Sequence, residues 1–318
     1  MSINILSTGS FVPPLSLTND ELCQRIDIDS SDEWIIQRVG VKERRISESL
    51  FNWEMGTKAA EHALEQAGLS ASDIDFIVCA TVSSEDSSPC TAAMIQRALG
   101  AQCPAMDLHA ACSGFIYSLE TCAALLKMGY KKILLVASER LSRIVDWSDR
   151  NTCVIFGDGA AALVLEEGDN YLASVLHSFG GDEVIKIPNF EGDRTFFTRD
   201  TPAPYIYMNG QETFKFAVGR MQKDIREVLS RANVREEDVS WVIPHQANIR
   251  IIDAARRRLH IDPDRYVTNI DRFGNTSAAS IPLALDELNR SGKLKRGDIL
   301  VFCAFGGGLS SGASLLRW

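Results

Sequence analysis

Short apolar runs alternate along the chain with longer stretches in which apolar residues recur at i, i+3 and i+4. IDFIVCATV (74–82), AMDL (105–108), KILLVAS (132–138) and AALVLEE (161–167) read as strands. So do WVI (241–243), ILVFCAF (299–305) and ASLLRW (313–318). Between them, MGTKAAEHALEQAG, CTAAMIQRALG and CSGFIYSLETCAALLKMG carry helical spacing and stop at glycine, as helix C-termini do. QETFKFAVGRMQKDIREVLSRA and SAASIPLALDELNRSG repeat the pattern further on. Alternation of this kind predicts an α/β protein with helices packed on sheets.

The pattern also repeats on a longer scale. Residues 67–78, AGLSASDIDFIV, align without gaps to 232–243, ANVREEDVSWVI, 165 positions later. Each copy is a helix end, an acidic turn and a strand. Near the same offset KKILLVAS matches GDILVFCA, and GDGAAALVL echoes SSGASLLRW. The repeat predicts two duplicated halves, 1–168 and 169–318, each covering a face the other leaves exposed. A length of 318 residues suits two units, and no low-complexity linker separates them.

Composition narrows the class. With 45% apolar and 24% charged residues the chain buries a large core, which excludes disordered, collagen-like and small disulfide-stapled classes. No apolar run approaches the roughly 18–20 residues of a membrane span. The start, MSINILSTGSFVPP, lacks the basic and apolar regions of a signal peptide, so a soluble cytoplasmic protein is expected. A net charge of −9 argues against nucleic acid as the main partner. The 8 cysteines include no C-x-x-C and read as reduced thiols, while the 5 histidines show no metal-ligand spacing.

Candidate chemistry sits where polar residues interrupt apolar strand ends: HAACSGF (109–115), PHQAN (244–248) and FGNTSAAS (273–280), with FGGGLSSG (305–312) offering unobstructed backbone N–H groups. Cys112 follows the strand AMDLHAA and opens the next helix. There, unpaired N–H groups and the positive end of the macrodipole predict a lowered thiol pKa and a nucleophile. Small neighbours leave room for an acyl group. His245 follows SWVI and falls where the first half has Ala80, so the duplicated scaffold does not itself require an imidazole. Asn275, taken alone, reads as a turn or N-cap residue. A thiol, an imidazole and an amide at three strand-end loops of a doubled fold point together to nucleophilic catalysis.

ACSGF around Cys112, PHQAN around His245 and GNTSAAS around Asn275 resemble, in that order, the β-ketoacyl-acyl-carrier-protein synthase III family. SSDEWIIQRVGVKERR (30–45), IFGDGAAALVL (155–165) and the closing FGGG…LRW extend the resemblance almost end to end. It implies a thiolase-like fold of two similar halves in a five-layered αβαβα body, a homodimer, and the first condensation of type II fatty acid synthesis. It further implies that Cys112 takes an acyl group from acyl-CoA and that His245 and Asn275 hold the thioester carbonyl of malonyl-acyl-carrier protein. The backbone N–H groups of Cys112 and Gly307 would meet the developing oxyanion. No metal or redox cofactor is implied, acyl-CoA being a substrate. Degradative thiolases share the fold but need a second cysteine as base. Asn275 cannot serve as one, so the enolate is expected from loss of CO₂.

The same resemblance assigns substrate handles. Trp34 and Arg38 match positions that stack on the adenine of CoA and contact its phosphates, Arg150 a second adenine-side position, and Asn248 a pantetheine contact. Arg250, Arg257 and Arg258, expected on one face of a helix over 247–260, match basic positions that dock the acidic carrier protein, as does Lys215. Ser88 stands where many acetyl-specific members have a phenylalanine that reaches across the dimer to close the partner's acyl pocket, which predicts primers longer or bulkier than acetyl. Residues 180–210 depart most from the family and are expected near the pocket entrance. Two alternatives remain at this level: a secondary-metabolism relative that passes the acyl group to another acceptor, and a non-catalytic partner subunit, which would usually lack the nucleophile.

Overall fold

The computed structural model describes residues 3–188 and 204–318. The chain begins with β1 (Asn4–Phe11) and β2 (Leu15–Thr18), then helices α1 (Asn19–Ile26) and α2 (Asp32–Arg38), and β3 (Glu43–Ile46). Helix α3 (Asn52–Ala67), β4 (Phe76–Ala80), α4 (Thr91–Leu99) and β5 (Ala105–Leu108) follow. Next come α5 (Gly114–Lys127), β6 (Lys132–Glu139), α6 (Arg150–Cys153), β7 (Gly159–Glu166) and β8 (Tyr171–Ser178). The short strands β9 (Ile185–Lys186) and β10 (Tyr207–Met208) lead to α7 (Gly210–Arg231) and β11 (Trp241–Pro244). Helices α8 (Ile249–Arg256), α9 (Ile270–Phe273) and α10 (Ser280–Arg290) precede β12 (Ile299–Gly306) and β13 (Ser310–Arg317).

Two sheets carry the duplication. One has the order β1-β7-β6-β4-β5, the other β8-β13-β12-β11. Strands β1, β7, β6 and β4 correspond one for one to β8, β13, β12 and β11, and the pairing senses agree. β4 runs parallel to both β6 and β5, and β11 runs parallel to β12, while the remaining neighbours are antiparallel. The fifth strand has shrunk in the second sheet. β5 pairs along β4 from Ala105 to Leu108, whereas its counterpart is a single bridge between Val242 and Tyr266.

Helices α3 and α4 cover the outer face of the first sheet, α5 and α10 lie between the sheets, and α7 and α8 cover the outer face of the second. The result is the five-layered αβαβα arrangement. Strand side chains alternate between layers. On β6, Ile133, Leu135 and Ala137 join the central core while Leu134 and Val136 pack toward α3. On β12, Leu300, Phe302 and Ala304 face the centre and Val301, Cys303 and Phe305 face α7. With both faces buried, these strands read as unbroken apolar runs, and each large side chain contributes roughly 1.5–3 kcal/mol of burial.

Strand β1 escaped the hydrophobic pattern because it is squeezed between two helices. A Cβ at Gly9 would lie 2.3 Å from the Ala63 nitrogen in α3. Ser7 donates to the Ala63 carbonyl at 2.7 Å, and Thr8 donates to Asp286 of α10 at 2.6 Å. Close approach demands small residues, and hydroxyls replace the apolar contacts they displace. Strand β8, YLASVLHS, is likewise mixed in character.

Candidate active site

A cavity of about 660 Å³ is lined by Cys112, His245 and Asn275 together, and also by Trp34, Arg38 and Arg150. His245 is 1% and Asn275 5% exposed, marking the buried end, while Arg38 and Arg150 are exposed and mark the outer end.

Cys112 does not open α5, as expected from sequence, but sits in the 3-10 turn Ala111–Ser113 just before it. Ala111 holds φ +48°, a left-handed conformation costly for a residue with a Cβ. The Ser113 N–H closes the turn on the Ala110 carbonyl at 3.1 Å. The arrangement occurs twice. Ser277 has φ +47°, the Ala279 N–H bonds the Thr276 carbonyl at 3.0 Å, and the turn Ser277–Ala279 leads into α10. These two turns touch in the central layer, next to the end of β12. Gly306 makes the approach possible, since a Cβ there would lie 2.7 Å from the Cys112 nitrogen. Gly307 lines the cavity too, against Ile185 and Ala111.

The sequence position predicted a lowered thiol pKa, and the site does the opposite. Burial pushes the Cys112 thiol up to about 12, with the Ser277 hydroxyl pulling down and the Glu139 charge pushing further up. A helix N-terminus is worth at most about 2 kcal/mol, or some 1.5 pKa units, and desolvation of a buried group reaches several units. Desolvation wins, so the resting nucleophile is the thiol.

His245 continues β11, its N–H donating to the Cys303 carbonyl at 2.8 Å. Its ring meets Phe305 edge-on, with centroids 5.4 Å apart, and its Nδ1 lies 2.7 Å from the Ser280 hydroxyl. Burial lowers its pKa to about 3, so the ring is neutral. Asn275 is clamped by its backbone, which donates to the Ile155 carbonyl at 2.9 Å and accepts from the Gly157 N–H at 3.1 Å. Its Oδ1 accepts from the Ser277 N–H at 2.8 Å, leaving the NH₂ group to face the cavity. Two neutral donors thus share a pocket with a thiol.

Glu139, at the end of β6, is fully buried and accepts from the Val82 N–H at 3.1 Å and the Ser83 hydroxyl at 2.5 Å. Burial outweighs these bonds and raises its pKa to about 7. The folded state therefore binds more protons than the unfolded chain between the ordinary value of 4.5 and about 7, and Glu139 costs stability as pH rises through that window. His245 acts with the other sign: its folded pKa is depressed, so its contribution is present above 6.5 and lost as pH falls toward 3. Replacing Glu139 by Gln is expected to stabilise the protein increasingly, relative to wild type, as pH rises from 5 to 7.5, by on the order of 1–3 kcal/mol. Thermal unfolding of both proteins across that range checks it. A difference that stays constant or shrinks with pH contradicts the assignment.

The proposed nucleotide handles meet at the outer end. The Arg150 and Arg38 guanidinium carbons stand 4.9 and 5.9 Å from the centre of the Trp34 ring, and Arg150 also donates to the Asp29 carbonyl at 2.6 Å. Asn248 lines the cavity and its side chain also holds the backbone: it caps α8 by accepting from the Arg250 N–H and donates to the Arg38 carbonyl, both at 2.9 Å. Of the four basic docking residues only Arg250 lines the cavity, packed over Phe214. Helix α8 ends at Arg256 with Arg257 as its cap, so the expected helical face shared by 250, 257 and 258 does not extend to Arg258. Lys215 is exposed on α7, near Glu212. Ser88 lies on an exposed loop and does not line this chain's own cavity. Of the 180–210 stretch, Ile185, Ile187, Ile206 and Met208 line the cavity, and residues 189–203 lie outside the described residues.

Sequence reasoning missed Ser280, Phe305 and Glu139. The first two touch the imidazole and the third is buried beside the thiol. Only the spacing of Ser280 within the SAAS motif offered a signal. Among the described residues, His177, Asp224 and Glu227 bring three donor atoms within 4.8 Å of one another. Arg220 and Arg231 already pair with the two carboxylates, so the group reads as an ion-pair network.

Comparison with known proteins gives a consistent result. The family model described as 3-oxoacyl-[acyl-carrier-protein (ACP)] synthase III matches residues 106–181, and that of its C-terminal region matches residues 229–318. The chain is 42% identical over 323 residues to a β-ketoacyl-[acyl-carrier-protein] synthase III of Clostridium acetobutylicum, covering 100% of this chain and 99% of the relative. The crystal structure of 3-oxoacyl-[acyl-carrier-protein] synthase III from Aquifex aeolicus is similar with a TM-score of 0.93 and 44% identity, covering 99% of this chain and 100% of that one. The priming β-ketosynthase of the R1128 polyketide pathway is similar with a TM-score of 0.92 and 34% identity, covering 99% and 96%.

Proposed function

The chain belongs to the 3-oxoacyl-[acyl-carrier-protein] synthase III family, and we propose that its cavity divides that family's reaction between Cys112 on one side and His245 with Asn275 on the other. It is an acyltransferase, a condensing enzyme of fatty acid synthesis initiation. In the first half-reaction the Cys112 sulfur attacks the acyl-CoA carbonyl. The acyl–sulfur bond to CoA breaks, and the thiol proton ends on the CoA sulfur, whose ordinary pKa is far below the raised pKa of Cys112. In the second, malonyl-acyl-carrier protein loses CO₂, and the electron pair of the broken C–C bond becomes an enolate. The His245 ring and the Asn275 NH₂ group donate to its oxygen. The carbanion attacks acyl-Cys112, and the thiolate leaves and regains a proton from solvent. Backbone N–H groups of Cys112 and Gly307 serve the oxyanion of each acyl step. The reaction so divided calls on no metal or redox cofactor.

The observation that carries this reading is the convergence of thiol, neutral imidazole and amide on one cavity whose outer end presents Trp34 and two guanidinium groups. Planar cations over an indole suit a nucleotide base and its phosphates. Lys215, Arg250, Arg257 and Arg258 would receive the acidic carrier protein, in a cytoplasmic homodimer whose halves divide near residue 168. No helix among the described residues is long and apolar enough to cross a membrane. Similarity to a priming β-ketosynthase of a polyketide pathway supports a second reading, in which the same condensation serves secondary metabolism.

Incubation with an equimolar mixture of acetyl-, butyryl- and octanoyl-CoA, followed by intact mass measurement, tests the proposal. One acyl group per chain is expected, on Cys112, with a primer longer than acetyl preferred because Ser88 replaces a ring. No adduct sinks the function, and an acetyl-only adduct sinks the role of Ser88. CO₂ release with malonyl-carrier protein separates condensation from transfer to another acceptor.

A further inference from the structure

A neutral imidazole can donate to an enolate only through the nitrogen that carries its hydrogen, and which nitrogen that is depends on the partner of the other. His245 is buried and its Nδ1 lies 2.7 Å from the Ser280 hydroxyl. Ser280 is itself 1% exposed and begins α10. A hydroxyl has one hydrogen and two lone pairs. The Gln246 N–H, directly after His245, points to this same oxygen at 3.4 Å and takes one lone pair. Among the described residues the hydrogen bonds of Ser280 Oγ are these two alone. Were Nδ1 to carry the hydrogen and donate to the second lone pair, the hydroxyl hydrogen would be left in a buried site with no acceptor, an arrangement folded proteins avoid. The balance closes in one way: the hydroxyl donates to Nδ1, and the ring hydrogen stands on Nε2.

We propose that Ser280 is a positioning residue that fixes His245 as the Nε2–H tautomer, so that the ring presents a donor and not an acceptor to the cavity. Ser280 touches no substrate and acts through the ring. Burial supports the assignment by keeping the ring neutral, since an imidazolium would donate from both nitrogens and need no such selection. The geometry is built from two elements of the second half of the chain: the ring hangs from the end of β11, and the hydroxyl comes from the second of the two left-handed turns as it enters α10. Gly114 holds the matching place at the start of α5, where no hydroxyl could do the same. The edge of Phe305 limits rotation of the ring away from Ser280.

The consequence for catalysis rests on the division of labour proposed above. The enolate half-reaction needs the donor, and acyl transfer to Cys112 does not. Uniform ¹⁵N-histidine labelling of the whole enzyme, with His245 assigned by comparison with His245→Ala, reads the tautomer directly from the two ring nitrogen shifts. Wild type is expected to show a protonated Nε2 and a bare Nδ1. In Ser280→Ala the Nδ1–H form is expected to appear, condensation by the pre-acylated enzyme to fall about tenfold in kcat with KM for the malonyl carrier little changed, and the rate of Cys112 acylation to stay within twofold. Ser280→Thr, which restores a hydroxyl, is expected to recover both the spectrum and the rate. A wild-type spectrum with hydrogen on Nδ1 overturns the proposal even if the alanine variant fails to fold. So does an alanine variant that keeps Nε2–H and full condensation, or one that loses acylation and condensation alike. Failure of wild type to acylate at all would sink the functional reading while leaving the tautomer measurement to stand on its own.

Discussion

Replacing Cys112 by alanine is expected to leave no detectable acyl-enzyme and to lower 3-oxoacyl product formation by about ten-thousand-fold or more, while CO₂ release from malonyl-carrier protein persists within roughly tenfold of wild type. The reasoning follows from the cavity. The thiol lies in the turn before α5, whereas the two donors lie on the β11 end and in the turn between α9 and α10. Removing the sulfur removes the covalent acceptor, and no other cysteine lines the cavity among the described residues. Alanine is smaller and apolar, so the backbone of the strained turn and the donors opposite keep their places. Mass measurement after exposure to acyl-CoA and a radiolabelled CO₂ assay read the two halves separately. An acyl adduct on the alanine variant would place the nucleophile elsewhere.

Replacing His245 by alanine is expected to give the complementary phenotype: stoichiometric acyl-Cys112 that accumulates, with condensation reduced about 10²–10³-fold, as for loss of one oxyanion donor. Its pH dependence follows from burial. With the imidazole pKa lowered to about 3, the ring remains neutral well below its ordinary 6.5, so in the Glu139→Gln background, which removes the neighbouring carboxyl raised to about 7, the condensation rate of pre-acylated enzyme should show no inflection near 6.5. A titration centred there, or rapid condensation by the alanine variant, would remove His245 from the role given it. Together the two variants separate what a single knockout cannot, because groups acting in one unit give non-additive losses.

Much of this site could be read from residue order, and what could not has physical causes. Cys112 and His245 each stand just beyond an apolar strand, and a reactive side chain at such a place is visible in the letters. Asn275, expected at a strand end as well, lies instead in the turn between α9 and α10, held by backbone bonds to Ile155 and Gly157. Depth is not. The helix start beside Cys112 predicts a lowered pKa, but the sign depends on how much water reaches the sulfur, which only packing decides. Ser280 was hidden because a serine that bonds an imidazole is spelled like one that caps a helix. Asn248 adds a role the letters hide: its carboxamide caps α8 and ties it to α2, which leaves one N–H and one lone pair for the pantetheine contact its pattern matches. Strand β1 was missed since hydroxyls and a glycine replace the apolar residues that helix crowding forbids, and α8 was read too long because its arginine-rich tail has good helix propensity, whereas the chain leaves the helix after Arg256 and still buries Leu259 and Ile261.

The paired left-handed turns bear on descent. Had a single-unit ancestor associated about a twofold axis with this geometry, it would have set two identical turns nose to nose, both free to carry a reactive side chain. Carried on one polypeptide, the two turns are not bound by symmetry. Ala278 now stands at the place equivalent to Cys112, chemically silent, while its neighbours Asn275 and Ser280 have become specialists in holding charge and hydrogen. Once joined, each copy could be altered without altering the other, which a symmetric pair of separate subunits cannot do.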